Sequence, residues 1–212
     1  MRNNIFPLLV CGCQLAAASG AAASVFTYTS QSRTISAYAS STMGIVTSSA
    51  SAPDFGRFNQ GVSAVVLPGS LGGLGSGSSW QDSTLDPELG MVFSLGQSGR
   101  GSTNMQEGGG GSGTFNIHFT LGEISFLELA FSFDGGMFSL SGPDVGIGAT
   151  GVGMYGPQTL TLGPGDYQIM VSSRVDVGGG GNGAYANGRL TVVPSPAGGM
   201  VLLAAALVRR RR

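Results

Sequence analysis

The segment Thr114-Phe115-Asn116-Ile117-His118-Phe119-Thr120-Leu121 puts Phe115, Ile117, Phe119 and Leu121 on one parity and Asn116, His118 and Thr120 on the other. Successive side chains of a strand point to opposite faces of a sheet, so this alternation predicts a strand with one face in a core and one in solvent. Reading on, Leu127, Leu129, Phe131 and Phe133 repeat the pattern after Gly122-Glu123. Ile124 and Phe126 have the opposite parity, which predicts a bulge or change of register near Phe126. The longest alternation, Tyr167, Ile169, Val171, Ser173, Val175 and Val177, follows Leu162-Gly163-Pro164-Gly165-Asp166, where Pro-Gly supplies a tight turn. Residues 184–193 read as a final strand ended by Pro194, with 178–183 as the hairpin connection.

Toward the N-terminus the pattern weakens. Residues 25–30, 33–39, 57–67 and 89–95 read as strands, as does the short 159–162. Residues 69–79 and 108–113 are so rich in Gly and Ser that they read as flexible loops. If residues 24–113 failed to fold, the sheet would be smaller and carry a long flexible leader. No helical period appears between the two ends, and parallel α/β folds need crossover helices. The expected fold is therefore all-β: an antiparallel β-sandwich or jelly-roll-like domain with long Gly-rich loops. The run Leu-x-Pro-Gly-x-Tyr before the penultimate strand resembles the corners of secreted β-sandwich modules, in which a tyrosine caps the sheet edge.

The two ends read as addresses. Arg2, an apolar stretch from Ile5 to Ala18, and the small residues Ala21, Ala22 and Ala23 before Ser24 have the three parts of a secretory signal, with cleavage expected between Ala23 and Ser24. The cysteines, Cys11 and Cys13, both fall in that segment, so no disulfide is expected in the mature chain. At the other end, residues 198–208 carry no charge and are followed by Arg209, Arg210, Arg211 and Arg212. Eleven residues make only ~16 Å of helix, far short of the ~20 residues that cross a bilayer, so this segment is expected to engage the membrane transiently.

That ending is similar to the PEP-CTERM class of sorting signals: a Val-Pro-x-Pro-Ala motif, a brief apolar helix and a terminal arginine cluster. The matching residues are Val193, Pro194, Ser195, Pro196 and Ala197, with Ser195 where the commonest form has Glu. The resemblance covers about the last 20 residues and implies that an exosortase, a membrane-embedded sorting protease, recognises the tail and removes it near the motif. The expected organisation is a signal peptide (1–23), a glycine-rich β-sandwich domain (24–193) and a sorting signal (193–212), with a signal helix and a short apolar helix flanking the sheet.

Composition narrows the function. The chain of 212 residues has 38 glycines and only 10% charged residues, against about 25% in an ordinary soluble domain. Removal of both addresses takes five of the ten arginines and none of the eleven acids, leaving about −6. A lysine-free acidic surface repels phosphate backbones, so nucleic acid is not an expected partner. Gly146-Ile147-Gly148-Ala149-Thr150-Gly151 matches a dinucleotide fingerprint as a string, but Gly153, Gly156 and Pro157 forbid the helix that would have to follow. His118 is the sole histidine and shares its parity with Asn116 and Thr120, on the solvent face.

No zinc-type cluster can be assembled from one histidine and no mature cysteine. The acids Asp82, Asp86, Glu88, Glu123, Glu128 and Asp134 are of the type that hydrolyses glycosides in pairs, but their spacing singles out no pair. No cofactor is expected; structural calcium would have to use Asp134 or Asp144 in a loop, or the lone Gly180-Gly181-Asn182-Gly183 stretch. Trp80, the only tryptophan, has two readings: it closes one end of the core, or it is exposed and stacks on a sugar ring. The sequence thus predicts an exported, exosortase-processed structural or adhesive protein of the cell surface or extracellular matrix, without catalytic chemistry. The alternative is a module binding exopolysaccharide, and a third class is a two-carboxylate hydrolase.

Overall fold

A computed structural model describes residues 25–66, 75–101, 107–177 and 180–193. They form ten strands: β1 (Phe26–Ser41), β2 (Gly44–Ser51), β3 (Phe58–Val66), β4 (Gly75–Asp86), β5 (Gly90–Gly101), β6 (Gly108–Leu121), β7 (Ser125–Ser141), β8 (Gly146–Leu162), β9 (Gly165–Val177) and β10 (Gly180–Val192). Every pairing is antiparallel. The fold is all-β, and no helix occurs among the described residues. The expected signal helix and the apolar segment 198–208 lie outside them.

The strands make one continuous sheet in the order β2-β1-β6-β9-β7-β10-β5-β4-β3, with β8 on the remaining edge of β7. So many twisted strands cannot lie flat, and the sheet folds back on itself so that β1 and β6 face β4 and β5. Its two ends, β2 and β3, come back beside each other without exchanging ladder hydrogen bonds, leaving the sheet nearly closed.

The fold-over happens in β7. Leu127 to Asp134 pair with β10, Gly136 to Ser141 pair with β9, and the register shifts between Asp134 and Gly136. Gly135 sits there with φ +70°, a left-handed conformation that glycine adopts without a Cβ clash. A second shift lies between Leu129 and Phe131. These replace the break expected near Phe126: Ile124 and Phe126 differ in parity from the core residues because they are exposed.

The interior between the leaves tapers. Inward residues of β6 run Leu121, Phe119, Ile117, Phe115, then Gly113, Gly111 and Gly109. Those of β4 run Leu85, Ser83, Gln81, Ser79, Gly77 and Gly75. At the wide pole Phe93 meets Phe115 with ring centroids 4.9 Å apart, and Phe26 meets Phe119 at 5.3 Å. The middle is polar. Buried Arg33 on β1 reaches across to Ser83 Oγ (3.3 Å), and its Nη2 donates to the carbonyls of Asp54 and Gly56 (2.8 Å to the latter), pinning the connection between β2 and β3. Ser79 donates to the Ser112 carbonyl at 2.9 Å, and Ser173 donates to Gln97.

At the narrow pole backbone meets backbone. A Cβ on Gly75 would lie 2.6 Å from the Gly108 carbonyl oxygen, one on Gly99 2.5 Å from that of Gly109, and one on Gly77 would run into the backbones of Gly110 and Tyr38. Sheets packed through side chains stand ~10 Å apart, so this approach is open only to glycine.

Residues 108–113 are therefore the buried first half of β6, not a loop, and 75–79 belong to β4. Strand β10 likewise begins at Gly180, inside the expected hairpin connection. Glycine weakens a strand for want of a side chain, but it is the residue required where a second backbone comes close. Residues 25–30 and 33–39 merge into β1, 57–67 becomes β3 and 89–95 becomes β5, so much of the weakly patterned half is strand. Both described chain ends leave the wide pole: Phe26 N–H donates to the Pro87 carbonyl (2.9 Å), and Val193 N–H to that of Phe126 (2.8 Å).

The taper makes a prediction. Gly77→Ala should destabilise the fold by ~3 kcal/mol or more, since a methyl would have to displace backbone, lowering the melting temperature by roughly 6–12 °C. Gly148→Ala in β8, where the nearest foreign atom to a Cβ is 3.9 Å away, should change stability by less than about 0.5 kcal/mol. Thermal melts of the two variants decide; equal melts would remove the close approach.

Candidate functional site

Trp80 lies at an outward position of β4 and is 46% exposed, so it does not close the core. The same parity that sends Ser79 and Gln81 inward sends Trp80 out. Ladder register then fixes its surroundings. Trp80 pairs with Gly61 of β3 on one side and Gly96 of β5 on the other; Gly96 pairs with Tyr185 of β10, and Tyr185 with Asp134 of β7. Adjacent strands are ~4.8 Å apart, so Trp80 and Tyr185 stand about 10 Å apart with a glycine between them.

Gly96 makes this arrangement possible. The indole of Trp80 leans over it so closely that a Cβ there would lie 2.5 Å from Cε2. The ring is thus laid down on the sheet with its outer surface open. Tyr185, 43% exposed, rises on the far side, and together they bound an open cleft of about 430 Å³. Its polar rim comes from Ser78 and Ser98, whose hydroxyls are hydrogen-bonded at 2.8 Å. Further along the face Ser94 donates to Asn187. Two aromatic surfaces over a glycine floor, edged by hydroxyls, suit a flat ligand with an apolar face and a polar perimeter.

A second hollow, about 500 Å³, lies between β5, β10 and the Gly156-Pro157 bend of β8, lined mainly by Val92, Phe131, Met154 and Tyr155. Its one charged group, Arg189, is held by Glu128 at 2.5 Å.

Of the acids read from the sequence, Asp82, Asp86, Glu128 and Asp144 each hold a separate structural partner, while Glu88 and Glu123 lie in the turns before β5 and β7. Asp82 pairs with Arg57 at 2.7 Å, and the guanidinium holds its carboxyl below the usual carboxylate range. Asp86 accepts the backbone N–H groups of Glu88 and Leu89 at 2.8 and 2.9 Å. Glu128 pairs with Arg189, and Asp134 lies at the β7 kink. Asp144 accepts the Gly163 N–H at 2.8 Å and the Tyr167 hydroxyl at 3.2 Å.

The Tyr167 hydroxyl also donates to the Gly163 carbonyl at 2.9 Å, the corner cap that the Leu-x-Pro-Gly-x-Tyr run suggests. Burial and Asp144 raise the Tyr167 pKa. His118 lies outward on β6 between Ser30 and Gln168. Residues 146–151 belong to β8, a strand. Among the described residues no three His, Cys, Asp or Glu side chains stand close enough to share a metal ion.

Of the residues singled out at the ends, Val193 is described and hydrogen-bonded to β7. Ala21, Ala23, Ser24, Pro194, Ser195, Pro196, Ala197 and Arg209 to Arg212 lie outside the described residues. Gly96 and Tyr185 escaped the sequence reading because their meeting with Trp80 depends on which strands pair and in what register. The only local signal was the outward parity of Tyr185 in the expected last strand.

As the sole tryptophan, Trp80 reports on its own placement. Acrylamide quenching of its fluorescence should be intermediate in the native chain and rise toward that of free indole in Gly96→Ala, which lifts the ring, while the far-ultraviolet circular dichroism stays unchanged. Identical quenching in both chains would contradict an indole seated on Gly96.

No family model, curated protein or solved structure matches the chain, so its function rests on the fold and on the chemistry of this outer face.

Proposed function

We propose that the chain is an exported structural or adhesive protein of the cell surface or extracellular matrix, trimmed at its C-terminus by an exosortase, with the folded-over sheet serving as a sandwich-like, jelly-roll-like module. The observation that carries this reading is the pairing of terminal signals: the signal-peptide pattern ending at Ala23, and the Val193-Pro194-Ser195-Pro196-Ala197 motif, apolar run and Arg209 to Arg212. The sheet is compatible with it. Its last described hydrogen bond is that of Val193 N–H, so cutting near Pro196 removes no described strand. The low charge and buried glycine strands suit a durable exterior module rather than a crowded, highly charged interior.

The decisive measurement is the intact mass of the protein from the surface and medium of its native cells, compared with a strain lacking the sorting protease. The expected mature chain starts at Ser24 and ends near Pro196 or Ala197, and the protease-deficient strain keeps Arg212. A chain ending at Arg212 in both strains would make the tail a plain membrane segment.

A second reading, carbohydrate binding, is favoured by one observation: the exposed Trp80 laid over Gly96 and facing Tyr185. Pyranose rings present an axial C–H face to an aromatic ring and hydroxyls to a polar rim. Trp80→Ala, with its side chain at the surface, should keep the melting temperature within ~3 °C of the parent and abolish retention on polysaccharide in affinity electrophoresis. Retention unchanged by Trp80→Ala would remove this reading.

A further inference from the structure

We propose that the Trp80–Tyr185 face binds an acidic sugar chain, with Arg100 pairing its carboxylate or sulfate groups. This inference rests on the carbohydrate-binding reading of Trp80 and adds the class of sugar and the residue that selects it.

The arginines of the domain are not equivalent. Five lie among the described residues, and four are engaged within the protein. Arg33 is buried against carbonyls; Arg57 pairs with Asp82, Arg174 with Asp176 and Arg189 with Glu128. Arg100 is exposed and has no hydrogen-bond or ion-pair partner among the described residues. In a domain with about twice as many acids as arginines, a cation left unneutralised stands out by its availability.

Its position is fixed by the ladder. Arg100 shares the outward parity of β5 with Gly96 and Ser98, and its cross-strand neighbours are Ser76 of β4 and Gly181 of β10. It stands four positions along the strand from Gly96, roughly 13 Å away. The Ser78 and Ser98 hydroxyls occupy the row between.

An extended chain lying along β5 would therefore meet an aromatic platform, then hydroxyls, then a guanidinium. A planar guanidinium binds carboxylate or sulfate oxygens in bidentate fashion. Asp134 lies beyond Tyr185 in the perpendicular direction, across the strands, so the acidic end of that row does not oppose an anion placed at Arg100.

Affinity electrophoresis of the mature chain, residues 24–197, which keeps every described strand and lacks the Arg209 to Arg212 cluster, through gels holding polygalacturonate, dextran sulfate or neutral dextran tests this. The expected result is stronger retardation by the two acidic polymers than by dextran, weakening with added salt. Arg100→Gln should reduce retention on the acidic polymers by about two- to fivefold and leave dextran unchanged. Trp80→Ala and Tyr185→Ala should lose all three. A preference for only one of the acidic polymers identifies which anion, carboxylate or sulfate, the arginine takes.

Equal retention on dextran and the acidic polymers, with no effect of Arg100→Gln, would overturn the acidic class while leaving a neutral-sugar site standing. No retention on any polymer, or retention insensitive to Trp80→Ala, would overturn the carbohydrate reading and this inference with it. The Arg100 side chain makes no hydrogen bond or ion pair among the described residues, so its substitution does not confound binding with unfolding; circular dichroism provides the check.

Discussion

Everything in this molecule depends on two backbones coming closer than side chains allow. Where Gly75, Gly77 and Gly99 face the glycines of β6, carbonyl oxygens occupy the space in which a Cβ would sit. That contact sets the spacing of the leaves at one pole, while paired phenylalanines set it at the other. The interior between is a wedge, and each inward residue along β4, β5 and β6 has a size dictated by its distance from the thin end. Dispersion is strong at short separation and a buried glycine leaves no polar side chain unpaired, but each such residue also loses more backbone freedom on folding than any other. The aromatic pole and the ladders around it must therefore supply most of the net stability.

The same constraint explains the route of the chain. A wedge can close only if the sheet turns over, and β7 does this by a bulge at Gly135 instead of by a loop, pairing with β10 before the kink and β9 after it. Strands β10, β5 and β4 are neighbours on one side of that corner, so their outer surface is continuous. Trp80, Gly96 and Tyr185 consequently stand in one straight row although they come from distant parts of the sequence.

How much of this was legible depended on whether the local pattern contained the cause. The alternation of Phe115 to Leu121 and of Tyr167 to Val177 reports half-buried strands directly, and both are observed. The Tyr167 corner was likewise legible, because turn chemistry and cap lie within six residues. Residues 108–113 were misread because a glycine run has the same composition whether it is solvated and mobile or pressed against another backbone. Only the partner strand distinguishes the cases, and β4 is itself poor in large residues. Trp80 was legible as a candidate but not as a site: its floor and facing ring arrive through pairing register, which no single strand encodes.

Both described chain ends emerge at the pole packed with phenylalanine, Phe26 beside Pro87 and Val193 beside Phe126. They belong to opposite leaves, β1 and β10, which are not neighbours in the sheet. A force applied between them would act like fingers on the handles of a clothes-peg, prising the leaves apart across the aromatic packing instead of shearing one ladder of hydrogen bonds along its length. The mechanical strength of the domain in that direction is then set by how well hydrophobic rings resist separation, and the glycine seam acts as the pivot.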